Sequence, residues 1–230
     1  MLSTKNLPEN KGLPKTIQPG NILAKINDVT LEDGFEDGTY HVILHLEGEN
    51  PGAQFEGFLI DKDNPNGPRY KGQVGRVKIS YFSFGWEING TKVDRDEKIL
   101  GALKNLAISL GKQDALNDIN ARTIEEYIPL AAKVLSGNLF INWCIAGREY
   151  VGKDTYTKYD LFLPKPVYKN LKKGVQKNEF PYEKADVAPS DSNLMKFDPV
   201  KHIVKKKTAA VNNFQPTSEA AGQQSEFDLE

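Results

Sequence analysis

Between Asn21 and Leu163 several runs separated by turn-rich breaks carry apolar residues at every second position, whereas across 94–137 the interval lengthens to three or four. Alternation is the mark of a half-buried strand and the longer interval that of an amphipathic helix. The change of period restricts the chain to a mainly β fold with inserted helices, an α+β class. Before the block, Ile22, Ala24 and Ile26 share one face of a first ribbon. Tyr40, Val42, Leu44 and Leu46 share a face of a second, and Gln54–Ile60 reads as a third. Inside the block, Asp94 precedes Ile99, Leu103, Leu106 and Leu110, and Gly111 ends the run. Thr123 with Glu126 opens another helix, which Pro129 should kink or split. After it, Leu139–Arg148 and Thr155–Leu163 alternate again.

The ribbon Val74–Trp86 carries two unlike faces. Val77, Ile79 and Tyr81 read as core, whereas Arg76, Lys78, Ser80, Phe82, Phe84 and Trp86 run cation, cation, hydroxyl and three aromatics. Such a face suits single-stranded nucleic acid: cations meet phosphates, and each unstacked base gains ~1–3 kcal/mol on an aromatic ring. A fold that buries both strand faces would instead turn the three rings into a second core layer. The loop Asp61–Gly72 adds a cation–aromatic–cation triplet, Arg69, Tyr70 and Lys71, beside the ribbon. As a flexible clamp it would complement the strand, although a surface loop uses the same composition. After Trp86, the Asn89-Gly90 pair is a strong hairpin signal.

Several function classes lack their residues. The single cysteine, Cys144, sits in an apolar run and reads as a packed thiol. His41 and His45 lie about 13 Å apart along one strand face, too far to share a metal. Neither a phosphate-cradling P-loop, a Gly-x-Gly-x-x-Gly turn, a nucleophile elbow nor a His-Glu-x-x-His helix occurs. Asp61/Asp63 and Asp94/Asp96 stand in turn and cap contexts that want Asp for backbone hydrogen bonding. The expectation is a non-catalytic protein with no cofactor and no metal. No apolar run reaches the ~18 residues of a membrane span, and the opening MLSTKNLPENKG does not follow a secretory pattern, so a cytoplasmic setting is expected.

A net charge of −1 hides an uneven distribution: eleven lysines and five acids lie between Lys165 and Lys207, then four acids and no base from Thr208 to Glu230. Charge blocks of this kind accompany nucleic-acid handling, with an acidic end competing for a basic surface or docking on partners. The expected organisation is an extended arm over 1–20, a domain over 21–166 with its helical insert at 94–137, a lysine-rich extension over 167–207 and a mobile acidic tail over 208–230. From Val187 onward the chain is expected to be mobile, apart from Asn193–Phe197.

Five or six strands in hairpins, with helices before the last pair, fit an antiparallel Greek-key barrel of the oligonucleotide-binding (OB-fold-like) type. On the strand GRVKISYFSFGW, the block from LKNLAISLGK to LSGNLFINWCIAGREY and the terminal SEFDLE, the chain resembles phage single-stranded-DNA-binding proteins, built as one elaborated OB-fold with an acidic C-terminal tail. The resemblance implies sequence-independent binding of single-stranded DNA in phage replication or recombination, within the host cytoplasm. Arg69, Lys71, Arg76, Lys78, Arg148, Lys153 and Lys158 would meet phosphates, and Tyr70, Phe82, Phe84 and Trp86 would stack bases. It also implies docking of replication proteins on the tail. Here the tail departs from the family pattern, since Phe227 and Leu229 alternate with Glu226, Asp228 and a final Glu230. Self-association stays open. A virion-associated or structural module, whose basic and aromatic faces are a protein interface, is the rival reading.

Overall fold

The computed structural model describes residues 17–34, 37–48, 75–83, 87–151, 157–169 and 177–205. Among the described residues nine strands and four helices occur in the order β1 (Gly20–Asp33), β2 (Tyr40–Gly48), β3 (Arg76–Phe82), β4 (Glu87–Ile88), β5 (Thr91–Lys92), α1 (Arg95–Leu110), α2 (Gln113–Asn117), α3 (Ile124–Leu135), β6 (Phe140–Val151), β7 (Thr157–Phe162), β8 (Tyr182–Lys184), α4 (Pro199–His202) and β9 (Ile203–Lys205). The protein is mainly β, with its three longer helices between β5 and β6, where the change of period puts them. The third strand expected at Gln54–Ile60 lies outside the described residues.

The local signals act as their chemistry requires. Asp94 accepts hydrogen bonds from the N–H groups of Asp96 and Glu97, and Gly111 ends α1 at φ 68°. Thr123 caps α3 by accepting from the Glu126 N–H. α3 nevertheless runs unbroken through Pro129. Pro129 is the sixth of the helix's twelve residues, and its missing N–H forfeits the bond to the Glu125 carbonyl. Asn89 and Gly90, at φ 50° and 80°, make the two-residue turn between β4 and β5.

Pairing runs β1-β2-β3-β7-β6, and β6 pairs back onto β1, so five strands close a ring of hydrogen-bonded neighbours. β8 and β9 add to β6. The ring is not antiparallel throughout: β3 and β7 run parallel. Parallel neighbours need a long crossover, supplied here by the helices and β6. Inside lie Ala24, Ile26, Val42, Leu44, Val77, Ile141, Trp143, Ile145 and Leu161, joined by Ile99, Leu103 and Leu106 of α1 and by Ile128 and Leu135 of α3. The Trp143 indole is fully buried and its Nε1 donates to the Ala24 carbonyl at 2.9 Å, which satisfies the one polar atom such a ring brings inside.

Both expected ends of the domain move outward. Ile17, inside the stretch expected as an extended arm, is 2% exposed and belongs to the core, so the fold begins before Asn21. At the other end the chain from Val187 to Lys205, expected to be largely mobile, is part of the structure. Asn21 holds it: its Nδ2 donates to the Met195 carbonyl at 2.9 Å and its Oδ1 accepts from the Phe197 N–H at 2.8 Å. The Glu183 carboxylate accepts from the Asn193 N–H and the Ser192 hydroxyl. Side-chain bonds to backbone thus do what a long ladder does elsewhere.

Candidate nucleic-acid interface

Strand pairing decides which side chains share the outward face of β2, β3, β7 and β6. Opposed residues point to the same side of a sheet. Arg76 opposes His45, Lys78 opposes both Ile43 and Phe162, and Arg148 opposes Asp160. Arg76, Lys78 and Arg148 therefore share one face of the sheet, with β7 between the first two and the third.

Phe82 does not join them. The β2–β3 register slips between Val42 and Ile43, leaving Ile79 unopposed as a bulge. One extra residue reverses the alternation beyond it. Val77 and Phe82, five apart, consequently both face the interior, and Phe82 is 9% exposed within the core cluster. A base-stacking role for Phe82 is corrected to a core role. Of the other residues singled out in the sequence, Arg69, Tyr70, Lys71, Phe84, Trp86, Lys153 and the tail Glu226, Phe227, Asp228, Leu229 and Glu230 lie outside the described residues. Lys158 occupies a β7 position opposite Tyr150.

The face is ion-paired rather than uniformly basic. Arg76 donates through Nη2 to Glu32, and Lys78 reaches the Asp160 carboxylate at 2.9 Å. Ile43, between these pairs, is 1% exposed. Arg148 stands differently: its guanidinium lies 5.0 Å from the Phe162 ring centroid, and its Nε is buried without a hydrogen-bond partner. An arginine stacked on an aromatic plane keeps its terminal N–H groups free for an anion. Burial and the neighbouring Lys78 ammonium hold the His41 imidazole below its ordinary pKa, so it is neutral at pH 7.

His41, Lys78, Arg148, Asp160 and Phe162 line a groove of about 330 Å³, whose wall does not include Arg76. Among the described residues of its wall, Lys78, Arg148 and Lys165 are cationic, Asp160 is the acid, and Phe162 supplies a ring. No family model, curated protein or solved structure matches this chain. What the groove can do thus rests on its own geometry. Cations beside a ring fit an anion that also offers a flat apolar surface. A roomier groove of about 750 Å³ between β1 and α3 has the opposite character: Asp28, Glu32, Asp33 and Glu125 outnumber Lys133 on its wall and would repel phosphates. Among the described residues no group of three or more His, Cys, Asp or Glu side chains is placed to hold a metal, and no helix is long and apolar enough to cross a membrane.

Asp160, Phe162 and Lys165 are site residues that the sequence reading passed over. The signal for the first two was present: once Tyr159, Leu161 and Leu163 occupy the core side of the ribbon, Asp160 and Phe162 fall on the other.

Proposed function

We propose that the protein binds single-stranded DNA without sequence preference and without catalysis, as a component of phage replication or recombination. The observation that carries this reading is the cationic groove with a ring in its wall, Lys78, Arg148 and Lys165 around Phe162. The topology supports it. Among the five ring strands the spatial order is fourth, first, second, third, the Greek-key order, with the fifth closing between third and fourth. Helices inserted before the fourth strand complete a pattern of the OB type, whose second and third strands bind oligonucleotides. Arg148 and Lys165 would meet phosphates, Lys78 would do so in exchange for Asp160, and Phe162 would present its ring edge to a base.

Fluorescence anisotropy of labelled oligo-dT tests this directly. Binding at low salt should weaken as salt rises, with a logarithmic slope of about −0.7 for each phosphate contacted. Arg148→Ala should weaken it and flatten the salt slope by about 0.7, since one phosphate contact is lost; the Phe162 face it uncovers returns part of that loss. Absence of binding at low salt, or an affinity indifferent to both salt and Arg148, would refute the reading.

A further inference from the structure

The cationic groove does not end at Lys165. Ile79, Ser80, Leu163 and Lys165 form its wall and equally the wall of a second groove, of about 380 Å³, between β3 and α1. That groove in turn shares Asn105, Pro166, Tyr168 and Tyr182 with a third, of about 470 Å³, which follows α1 to Ser109. Their shared walls set the three side by side, as a path, or channel, from the outward face of the sheet onto the helix. From Lys98 to Ser109 the helical part is about 17 Å long at 1.5 Å per residue.

Tyr168 stands in this channel. It is 61% exposed, an unusual amount for a ring whose backbone is so firmly fixed. Val167 and Glu179 exchange both backbone hydrogen bonds, at 2.8 and 2.9 Å, and the Lys169 N–H donates to Asn178 Oδ1 at 2.7 Å. Phe180 meets the ring edge-on, with centroids 6.1 Å apart and planes at 80°. The ring is thus oriented before anything binds, and little ordering cost attends its use. The rim carries charge of the right sign. Lys98, Lys165 and Lys184 border the channel against two acids, Glu97 and Glu183, the second of them tied down by Ser192 and Asn193.

We propose that a single strand leaving the cationic groove continues along α1, with a base stacked on Tyr168 and its phosphates met by Lys165, Lys98 and Lys184. The inference rests on the nucleic-acid reading of the first groove and extends it to a longer site. Two variants probe the extension alone. Tyr168→Ala removes the ring. Gly101→Leu fills the channel, because nothing lies within 4 Å of a Cβ at Gly101 and the helix gains by losing a glycine.

Anisotropy with oligo-dT of about 4 and about 16 nucleotides, the span of site sizes for one fold of this type, separates the cases. Each variant should weaken the longer oligonucleotide about tenfold and leave the shorter unchanged, with Tyr168→Phe restoring wild-type binding. Arg148→Ala should weaken both. In a longer oligonucleotide bearing iodouracil, photocrosslinking should mark Tyr168. Unchanged binding of the longer oligonucleotide to Tyr168→Ala and Gly101→Leu, while Arg148→Ala loses both, would overturn the extension, keep the first groove and leave the α1 channel to a protein ligand. Failure of the wild-type protein to bind either length would overturn both.

Discussion

Asp160 is the internal competitor for the groove, and replacing it with asparagine isolates its effect. In the native protein its carboxylate holds Lys78 at 2.9 Å, with side chains 26% and 22% exposed. A pair this accessible is worth no more than ~1 kcal/mol to folding, and less after solvent screening, so Asp160→Asn remains folded. The change removes one negative charge from a wall whose described residues hold three cations. It also frees the Lys78 ammonium. A phosphate brought to within ~4 Å of a charge gains ~1 kcal/mol in bulk water and ~4 kcal/mol where solvent is partly excluded. The groove is open, so a gain of about 1–2 kcal/mol is expected, a factor of roughly 5–30 in affinity at low salt. The salt dependence should steepen by about 0.7 in logarithmic slope, one added contact on a single strand. The assay is anisotropy of labelled oligo-dT across a salt series, with thermal melts of both proteins in parallel. Equal affinities and equal slopes with matching melts would show that Lys78 does not face the ligand, and the groove would have to be abandoned as the phosphate path.

Two further outcomes concern stability. His41 and His202 both have their pKa held below 6.5, first by burial; at His41 Lys78 adds to this against the Ser80 backbone hydrogen bond, Asp160 and Glu32, and at His202 burial outweighs the upward pull of Asp198, with Lys201 adding to the lowering and Glu179 opposing it. His202 Nδ1 also accepts the Asp198 N–H at 2.9 Å, a bond that protonation of Nδ1 would break. The unfolded chain therefore binds protons that the folded one refuses, and stability must fall as pH drops below about 6.5. Urea titrations at about pH 7.5 and about pH 5.5 check this, and a midpoint that rises on acidification would contradict it. The second outcome follows from Gly75, where a Cβ would stand 2.1 Å from the Leu46 carbonyl oxygen and 2.6 Å from Ile17 Cδ1. Gly75→Ala should cost about 3 kcal/mol, the upper end for overpacking, because the nearest atom is backbone; an unaltered urea midpoint would show that the Leu46 carbonyl does not stand against Gly75.

Which parts of this were legible in the chain depends on how local their causes are. The helices are announced by Asp94, Gly111 and Thr123, whose roles are settled within one turn. The inward side of β2 and β6 follows from alternation alone, as Val42, Leu44, Ile141 and Trp143 show, and that of β1 as far as Ile26, after which a slip before Asp28 brings Val29 inward. The bulge at Ile79 has no such mark: no glycine or proline stands there, and the slip exists only against Val42 and Ile43 on another strand. A single unseen residue therefore moved Phe82 from the ligand face to the core. The pairing of Lys78 with Asp160 is equally non-local, because it requires β3 and β7 to be neighbours. The ordering of 187–205 escaped notice because its anchors, Asn21 and Glu183, are polar and leave no apolar period.

The inward turn of Phe82 changes the expected energetics of binding more than its location. Three rings on one ribbon would have offered several kcal/mol of stacking that salt barely touches. In the described groove Phe162 lies beneath the Arg148 guanidinium, so its face is already occupied and it adds mainly edge contact. Phosphate contacts must then carry most of the free energy, and each of those is lost by ion exchange. It follows that the first groove by itself binds in a strongly salt-dependent way, and that whatever affinity survives at high salt measures stacking elsewhere, with Tyr168 the exposed ring best placed among the described residues to supply it. Residual binding at high salt that Tyr168→Ala leaves intact would locate that stacking outside the described channel.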